Sequence, residues 1–204
     1  MSDVTGVRRG RPVWVTCLVI LAVLIVLGVS CGLGAFGWVR GGYNRAIALN
    51  EAVTAAWAQV ENQLQRRNDL IPNLVETVKG YAKHEKELFE NIADARTKYF
   101  QAQTRADKIA AADTISTLLS RLLVLRETYP ELKANESFLK LQDSLEGTEN
   151  RLSVERMRYN DAVRALNTYR REFFGRYFCD WANVKEAEYF KASEPAKQTP
   201  QVTF

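Results

Sequence analysis

The chain opens with a long uncharged stretch that is far more apolar than anything after it. No charged residue occurs between Arg11 and Arg40, and the centre of the stretch is wholly apolar. About 20 consecutive apolar residues cross the roughly 30 Å hydrocarbon core of a bilayer. Trp14 and Trp38 stand near its two ends, where indole rings favour the membrane interface. The pattern predicts a transmembrane helix over residues 13–39.

Two other interpretations compete with a retained span. A cleaved signal peptide has a short apolar core and a cleavage site made of small residues. A lipoprotein would carry its lipid on Cys31, but that motif usually has an aliphatic residue where Gly28 stands. The apolar character also continues past Cys31 to Val39, which favours the span.

Beyond Gly41-Gly42, which we interpret as a hinge, the chain becomes strongly helical. Asn44 fits an N-cap, and apolar residues then recur at steps of three and four, as in a coiled-coil seam. This first helix is predicted to run to about Gln101. Pro72 should bend it, and Gly80 weakens it or admits a close neighbour. Its seam comprises Trp57, Val60, Leu64, Arg67, Ile71, Leu74, Val78 and Tyr81.

Two further helices follow with the same spacing. Asp107 and Asp113 are candidate N-caps of the second helix, and Pro130 ends it because the residue before a proline is pushed out of the α region. We expect this helix to pair with the C-terminal half of the first. A short connection at Asn135 leads to a third helix ending near Phe173. The second seam comprises Ala111, Ile115, Leu118, Leu122, Leu125 and Tyr129, and the third comprises Leu145, Glu149, Leu152, Arg156, Tyr159, Val163, Leu166, Arg170 and Phe173.

Amphipathic helices joined by short turns can bury their apolar stripes only against one another. No segment of useful length alternates as a strand does. The predicted fold is therefore all-α, with one N-terminal transmembrane helix followed by an elongated antiparallel helical bundle of about three long helices. We divide the chain into a basic segment (1–12), the transmembrane helix (13–39), the bundle (43–190) and an irregular C-terminal tail (191–204).

The net charge of +4 is spread over the chain, with both signs interspersed. Because a nucleic-acid-binding surface requires basic residues clustered on one face, nucleic acid is not an expected partner. Three arginines precede the apolar stretch, whereas Arg40 and Arg45 follow it. By the positive-inside rule, this difference favours a cytoplasmic N-terminus and an extracytoplasmic bundle.

Residues that carry out catalysis or bind metals are sparse. The chain has 3 cysteines (Cys17, Cys31 and Cys179) and 1 histidine, His84, and their positions give neither a disulfide framework nor the spacing of a metal site. Acidic residues cluster on the first and third helices, but carboxylates mixed with basic residues are typical of a solvated helix face. We therefore predict no enzyme activity, no catalytic residue, no metal, no cofactor and no small-molecule substrate. The acidic clusters are Glu61, Asp69 and Glu76, and Asp143, Glu146, Glu149 and Glu155.

Three charged residues occupy seam positions where an apolar residue is expected: Arg67, Glu149 and Arg156. A buried arginine without a partner is costly, so we interpret the three as a polar layer that sets helix register. A partner-binding site along the seam, or side chains that reach solvent from its edge, are the other interpretations. Since antiparallel helices bring the middle of the first near the first half of the third, we predict a largely buried ion pair between Arg67 and Glu149.

A dense aromatic cluster follows the third helix. It can rest on the membrane interface or cap the bundle core. We prefer the cap, because exposed aromatic patches of this size are unusual unless they are functional. The cluster comprises Phe173, Phe174, Tyr177, Phe178 and Trp181, interspersed with Arg171, Arg176 and Lys185.

Several motifs occur in order along the helical part of the chain. They read WAQVENQLQRR at 57–67, DLIPNLV at 69–75, VKGY at 78–81, YPELKAN at 129–135, LEGTENR at 145–151 and YN at 159–160. In this order they resemble the LemA family of bacterial envelope proteins, over about residues 43–174. Residues 173–181 depart from the family pattern, which commonly has a proline-containing turn there. The residues that carry the resemblance include Trp57, Glu61, Asn62, Arg66, Arg67, Asp69, Pro72, Asn73, Glu149, Asn150, Tyr159 and Asn160.

The resemblance implies a membrane-anchored helical bundle without established catalysis. Family members are often encoded near membrane metalloproteases, and one subgroup belongs to magnetosome membranes. We expect a non-catalytic interaction or scaffold protein of the cell envelope, in the inner (cytoplasmic) membrane or in a specialised compartment such as a magnetosome. Its expected partners are the lipid bilayer and other envelope proteins or further copies of itself. The alternative is a regulatory subunit of a membrane protease or another envelope enzyme.

Overall fold

The anchor and the bundle share one uninterrupted helix. The computed structural model describes residues 13–190, so the predicted basic segment and the predicted tail lie outside the described residues. Helix α1, Val13–Lys79, has 67 residues and is about 100 Å long at 1.5 Å per residue. The hinge predicted at Gly41-Gly42 and the N-cap predicted at Asn44 are wrong. Gly42 serves instead for close approach, because a Cβ there would overlap the Phe178 ring.

The first bundle helix ends earlier than predicted. A turn follows Lys79 and leads to α2, Lys86–Gln101, so the first predicted helix is in fact two helices. The break falls at Gly80, a residue type that costs about 1 kcal/mol relative to Ala in a helix interior. Pro72 remains inside α1, as the continuous seam predicted.

Side-chain caps define the starts of the next two long helices. Thr104 accepts from the Asp107 backbone N–H at 3.0 Å, so the N-cap is Thr104 and not Asp107 or Asp113. Asn135 accepts from the Phe138 backbone N–H at 2.9 Å and caps the following helix. The elements after α2 are α3 (Arg105–Thr128), a short 3-10 helix (Pro130–Ala134), α4 (Glu136–Arg171) and α5 (Gly175–Trp181).

Contacts along α1 show that α4 runs antiparallel to it. As residue numbers rise along α1, the numbers of its partners on α4 and just before it fall. The pairs are Gly42 with Tyr169, Trp57 with Tyr159, Arg67 with Glu149, and Tyr81 with Asn135. α3 runs in the same direction as α1, since Arg105 contacts Thr54 and Lys108 contacts Glu61. α3 also packs against α2. This contact was predicted, because α2 corresponds to the C-terminal half of the first predicted helix.

The predicted seams form most of the core. On α1 every seam residue from Trp57 to Val78 is buried, and Leu152, Tyr159 and Val163 face them from α4. The prediction is wrong for the last residue of each long seam, because Tyr81 is 41% exposed and Phe173 is 77% exposed. Both residues lie beyond the end of their helix, where the helical period no longer directs the side chain inward.

An extended segment after α5 runs back along α4. Asn167 exchanges hydrogen bonds of 2.8 and 3.0 Å with the backbone of Ala187, and Asn160 exchanges bonds of 2.9 and 2.8 Å with that of Phe190. Asn160 and Asn167 are seven residues apart on α4, which corresponds to a rise of about 10.5 Å. Their partners Ala187 and Phe190 are three residues apart on the extended segment, which corresponds to about 10 Å, so the two spacings match. The bundle therefore includes a non-helical component that the helical period did not predict.

Among the described residues, one helix is long and apolar enough to cross a membrane, and it is α1. Its side chains from residue 17 to residue 38 are exposed, whereas Ala46 is the first fully buried residue. No strand occurs in residues 13–190. The prediction of an all-α chain with an apolar N-terminal helix is confirmed.

Candidate functional site

Arg67 is the centre of a polar layer inside the bundle. Its side chain is only 1% exposed, although it comes from a helix position with apolar neighbours at both adjacent seam positions. Nη1 donates to Ser116 Oγ at 2.7 Å and to Glu149 Oε2 at 2.9 Å, and Nη2 donates to the carbonyl oxygen of Ala112 at 3.0 Å. One guanidinium thus joins α1, α3 and α4.

Glu149 bridges two arginines. Its Oε2 accepts from Arg67, while Oε1 lies 3.7 Å from Arg156 Nη1. The Glu149 side chain is 45% exposed, so the ion pair predicted as largely buried is buried only on its Arg67 side. The three predicted seam charges do lie together, with Arg156 stacked over the Phe190 ring at 4.4 Å. Burial lowers the pKa of the Arg156 guanidinium, an effect that Glu149 opposes and Arg67 reinforces.

The layer contains an acid that sequence reasoning did not place there. Burial raises the pKa of Asp113, while the positive charges of Arg156 and Arg67 lower it and the Glu149 charge raises it again. The sequence marks Asp113 as an N-cap only because the apolar pattern of α3 starts later than the helix itself. Ser116 was also missed, since nothing in the sequence marks one serine as the partner of an arginine on another helix.

A groove of about 230 Å³ opens beside the ion pair. Leu119, Leu123 and Leu145 form its apolar wall, and Glu149 stands at its edge. Ligand pockets for small molecules usually measure about 300–1,000 Å³. Arg67 and Arg156 both lie against Glu149, so the arrangement is suited to holding helices in register.

The residues that carry the family resemblance fall into two groups. The first group builds a second layer, in which the buried Trp57 packs edge-to-face on Tyr159 at 5.4 Å and the half-buried Glu61 pairs with Lys108. Tyr159 donates to the carbonyl oxygen of Glu188 at 2.8 Å and so also holds the extended segment. These residues have structural roles that follow from their contacts.

The second group is exposed. Asn62, Arg66, Asp69 and Asn73 follow one another at steps of four, three and four, which places them on one stripe of α1, and Pro72 and Asn150 are exposed as well. At 100° per residue the stripe lies opposite the buried seam of α1. We call these four residues the polar stripe. No packing requirement in the described structure accounts for their identity.

The acidic clusters do not form metal sites in the described residues. No group of three or more His, Cys, Asp or Glu side chains there is arranged to hold a metal ion. Glu76 lies 3.1 Å from Lys79 Nζ, and Glu155 lies 2.7 Å from Arg158 Nη1. His84 is exposed in the turn after α1. Cationic partners therefore account for several of the clustered carboxylates.

The aromatic cluster does not cap the core, contrary to the preferred prediction. Phe178 alone among its five members is buried, because it packs against Gly42 at the end of the bundle. The other four point outward, and we call them the aromatic patch. Their exposed fractions are 77% for Phe173, 51% for Phe174, 66% for Tyr177 and 66% for Trp181.

Comparison with known proteins places the chain in a family. The chain matches the LemA family over residues 56–204. Magnetosome protein MamQ 2 and Magnetosome protein MamQ 1 of Paramagnetospirillum magneticum (strain AMB-1) are each 25% identical to it over 187 residues, covering 79% of this chain and 68% of theirs. Magnetosome protein MamQ of Magnetospirillum gryphiswaldense (strain MSR-1) is 22% identical over the same shares. Since the family match covers more than half of the sequence and includes both internal layers, the chain belongs to the LemA family.

Proposed function

We propose that this protein is a non-catalytic scaffold of a bacterial membrane, which holds a stiff helical bundle at a fixed place beside the bilayer and binds another envelope protein. The observation that carries the proposal is the continuity of α1, which passes from the exposed apolar stretch into the buried seam without a break. A helix that is packed along one half cannot pivot freely at the boundary. Any partner bound to the bundle is then held at a set height above the membrane.

The polar stripe is the proposed partner-binding surface. It faces away from the core and offers two amides, one cation and one anion over about 16 Å of helix. Symmetric pairing of two copies anchored in one membrane would bring each Arg66 to the same height as its counterpart, and like charges repel. We therefore propose a different protein as the partner. The names of the relatives make a magnetosome-type membrane one compartment for this role, besides the inner membrane.

Exchange of charges on the stripe tests the proposal. Full-length tagged protein is recovered from solubilised membranes of the source bacterium, with Arg66→Glu and Asp69→Lys combined in the test variant. The control combines Asp161→Lys and Arg164→Glu, an exposed pair with the same spacing on α4. We expect a stoichiometric partner with the wild type and the control, and its loss with the test variant.

Four results would contradict parts of this proposal. A partner kept equally by all three proteins would place binding elsewhere than the stripe. A stoichiometric membrane protease as partner would favour the regulatory-subunit alternative, and recovery of this chain alone would favour self-association. Release of the protein by alkaline carbonate, with a shortened N-terminus, would show that residues 13–39 are not a retained anchor.

A further inference from the structure

The aromatic patch stands at the height along α1 where the apolar stretch ends. The Trp38 ring lies 4.8 Å from the Phe174 ring and 5.3 Å from that of Phe178, and both contacts are edge-to-face. The Tyr43 and Trp181 rings are 4.9 Å apart. Trp38 is the last aromatic residue before the charge at Arg40, so α5 is packed at the boundary between apolar and polar helix.

The packing of α5 against the bundle fixes which side of this helix faces outward. Cys179 is fully buried and Phe178 nearly so, whereas the aromatic patch lies on the opposite side. A Cβ on Gly175 would overlap the carbonyl oxygen of Tyr169, so the glycine permits the tight turn from α4 into α5. The exposure of the patch is therefore set by packing on the inner side.

Basic side chains border the patch. Arg171 and Arg176, which lie beside Phe173 and Tyr177, are 77% and 76% exposed. Arg171 donates to Glu186 Oε1 at 3.3 Å, and Arg176 Nε lies 3.9 Å from Asp180 Oδ2, and both pairs are exposed. Exposed ion pairs are weak in water, so these arginines remain available to other anions.

We propose that the aromatic patch inserts into the interfacial layer of the same bilayer that α1 crosses, where the bordering arginines bind anionic lipid phosphates. Tyrosine and tryptophan side chains favour this layer because one end is apolar and the other polar. Exposed apolar patches on soluble surfaces mark interaction sites, and this one is continuous with the anchor. The contact adds a second, peripheral attachment that sets the tilt of the bundle. It rests on the anchor role proposed above and holds for either orientation of the chain.

Depth measurements in nanodiscs test the inference. Full-length protein without native cysteines is reconstituted, one copy per disc, into three parts phosphatidylcholine and one part phosphatidylglycerol. A nitroxide is placed at Tyr177→Cys, and its collisions with oxygen and with a water-soluble nickel complex are measured. We expect a position about 5–10 Å below the headgroup boundary, the depth typical of interfacial helices. Labels at Leu24→Cys and Asn150→Cys give the lipid and aqueous references.

A pair of matched variants tests whether the aromatic rings hold α5 in place. Replacing Phe173 and Trp181 with Ser should move the Tyr177 label toward the aqueous reference. Replacing Val154 and Met157 with Ser, which are also exposed apolar residues, should leave its depth unchanged. Helix content measured by circular dichroism should be the same in both.

The possible failures are distinguishable. A Tyr177 label as accessible to nickel as the Asn150 label, while the Leu24 label stays in lipid, would overturn the inference and leave the anchor intact. An aqueous Leu24 label would overturn both. Shielding of the Tyr177 label only in discs that hold two copies would show that a second chain covers the patch, which also overturns the inference.

Discussion

At the scale of single residues, Arg67 shows how a costly side chain can specify a fold. The guanidinium is 1% exposed, and its Nη1 and Nη2 donate to Ser116 and Ala112 on α3 and to Glu149 on α4, whereas its Nε has no partner among the described side chains. Sliding either helix by one turn, about 5.4 Å, would remove these acceptors. Neighbouring leucines and valines would tolerate such a slip far better, so we expect the arginine to contribute more to helix register than the apolar seam does.

A double-mutant cycle measures the pair directly. We expect Arg67→Met and Glu149→Leu to couple by about 1–3 kcal/mol, above an exposed pair and below the about 3–5 kcal/mol lost when a fully buried pair is broken. The value is intermediate because Glu149 is half-exposed and keeps Arg156 nearby. The free energy of unfolding is measured by denaturant titration of the full chain in detergent. Arg67→Met combined with Glu90→Leu, a distant exposed change, should be additive within about 0.5 kcal/mol. Equal additivity for both combinations would mean that the pair does not set register.

A buried tyrosine makes stability sensitive to alkaline pH. Burial raises the pKa of Tyr99 to about 12, with the Glu61 charge adding to the rise and Arg67 opposing it. Because the folded-state pKa lies above the unfolded value, stability is complete below about pH 10 and falls as pH rises toward about 12. The loss should reach about 2 kcal/mol in the free energy of unfolding. The Tyr99→Phe variant should lose less free energy of unfolding over the same pH range. Identical slopes of stability against pH for the two proteins would refute the assignment to Tyr99.

At the scale of elements, adjacent glycines in α1 have different roles. Gly41 has open space around its Cα, whereas Gly42 lies under the Phe178 ring and accepts the Tyr169 hydroxyl on its carbonyl oxygen at 2.8 Å. A glycine pair between an anchor and a domain indicates a hinge when only the sequence is read. The packing of α5 on α1 explains Gly42 without a hinge, because a side chain at this position would overlap the Phe178 ring.

Alanine at the two positions should act in opposite directions. Gly41→Ala should stabilise α1 by about 1 kcal/mol through helix propensity. Gly42→Ala should destabilise by about 1–3 kcal/mol, because the new methyl group overpacks the Phe178 site. Thermal unfolding of both variants in the same detergent provides the comparison. Stabilisation by both substitutions would show that α5 does not rest on α1.

Helical period predicted the elements well and their ends poorly. The buried residues of α1 and α4 were evident because apolar side chains at steps of three and four line one face of a helix and of no other regular element. The break at Gly80 was not evident, since the apolar phase continues through it. The Asn160 and Asn167 contacts with the extended segment were also beyond prediction, because they depend on where residues 184–190 return in space. Arg67 and Glu149 could be paired from the sequence, because both occupy seam positions on helices that were predicted to be antiparallel. Asp113 and Ser116 occupy no seam position, so their place beside Arg67 could not be predicted.

At the scale of the whole molecule, the protein couples a membrane to a bundle through one helix. Two internal layers, around Arg67 and around Trp57, fix α1 against α3 and α4. The packing of α5 at Trp38 and Gly42 secures the end nearest the apolar stretch. An arrangement of this kind is what the proposed scaffold role requires.

A distance measurement in the membrane shows whether α1 is continuous across its glycines. Nitroxides are placed at Ala35→Cys and Ala55→Cys, both exposed, in cysteine-free full-length protein in nanodiscs. A continuous helix separates these positions by about 30 Å, and double electron–electron resonance should give one narrow distribution near that value. A broad distribution, or two populations with one much shorter, would mean that the chain bends at Gly41-Gly42 and that the bundle is not held at a fixed place beside the bilayer.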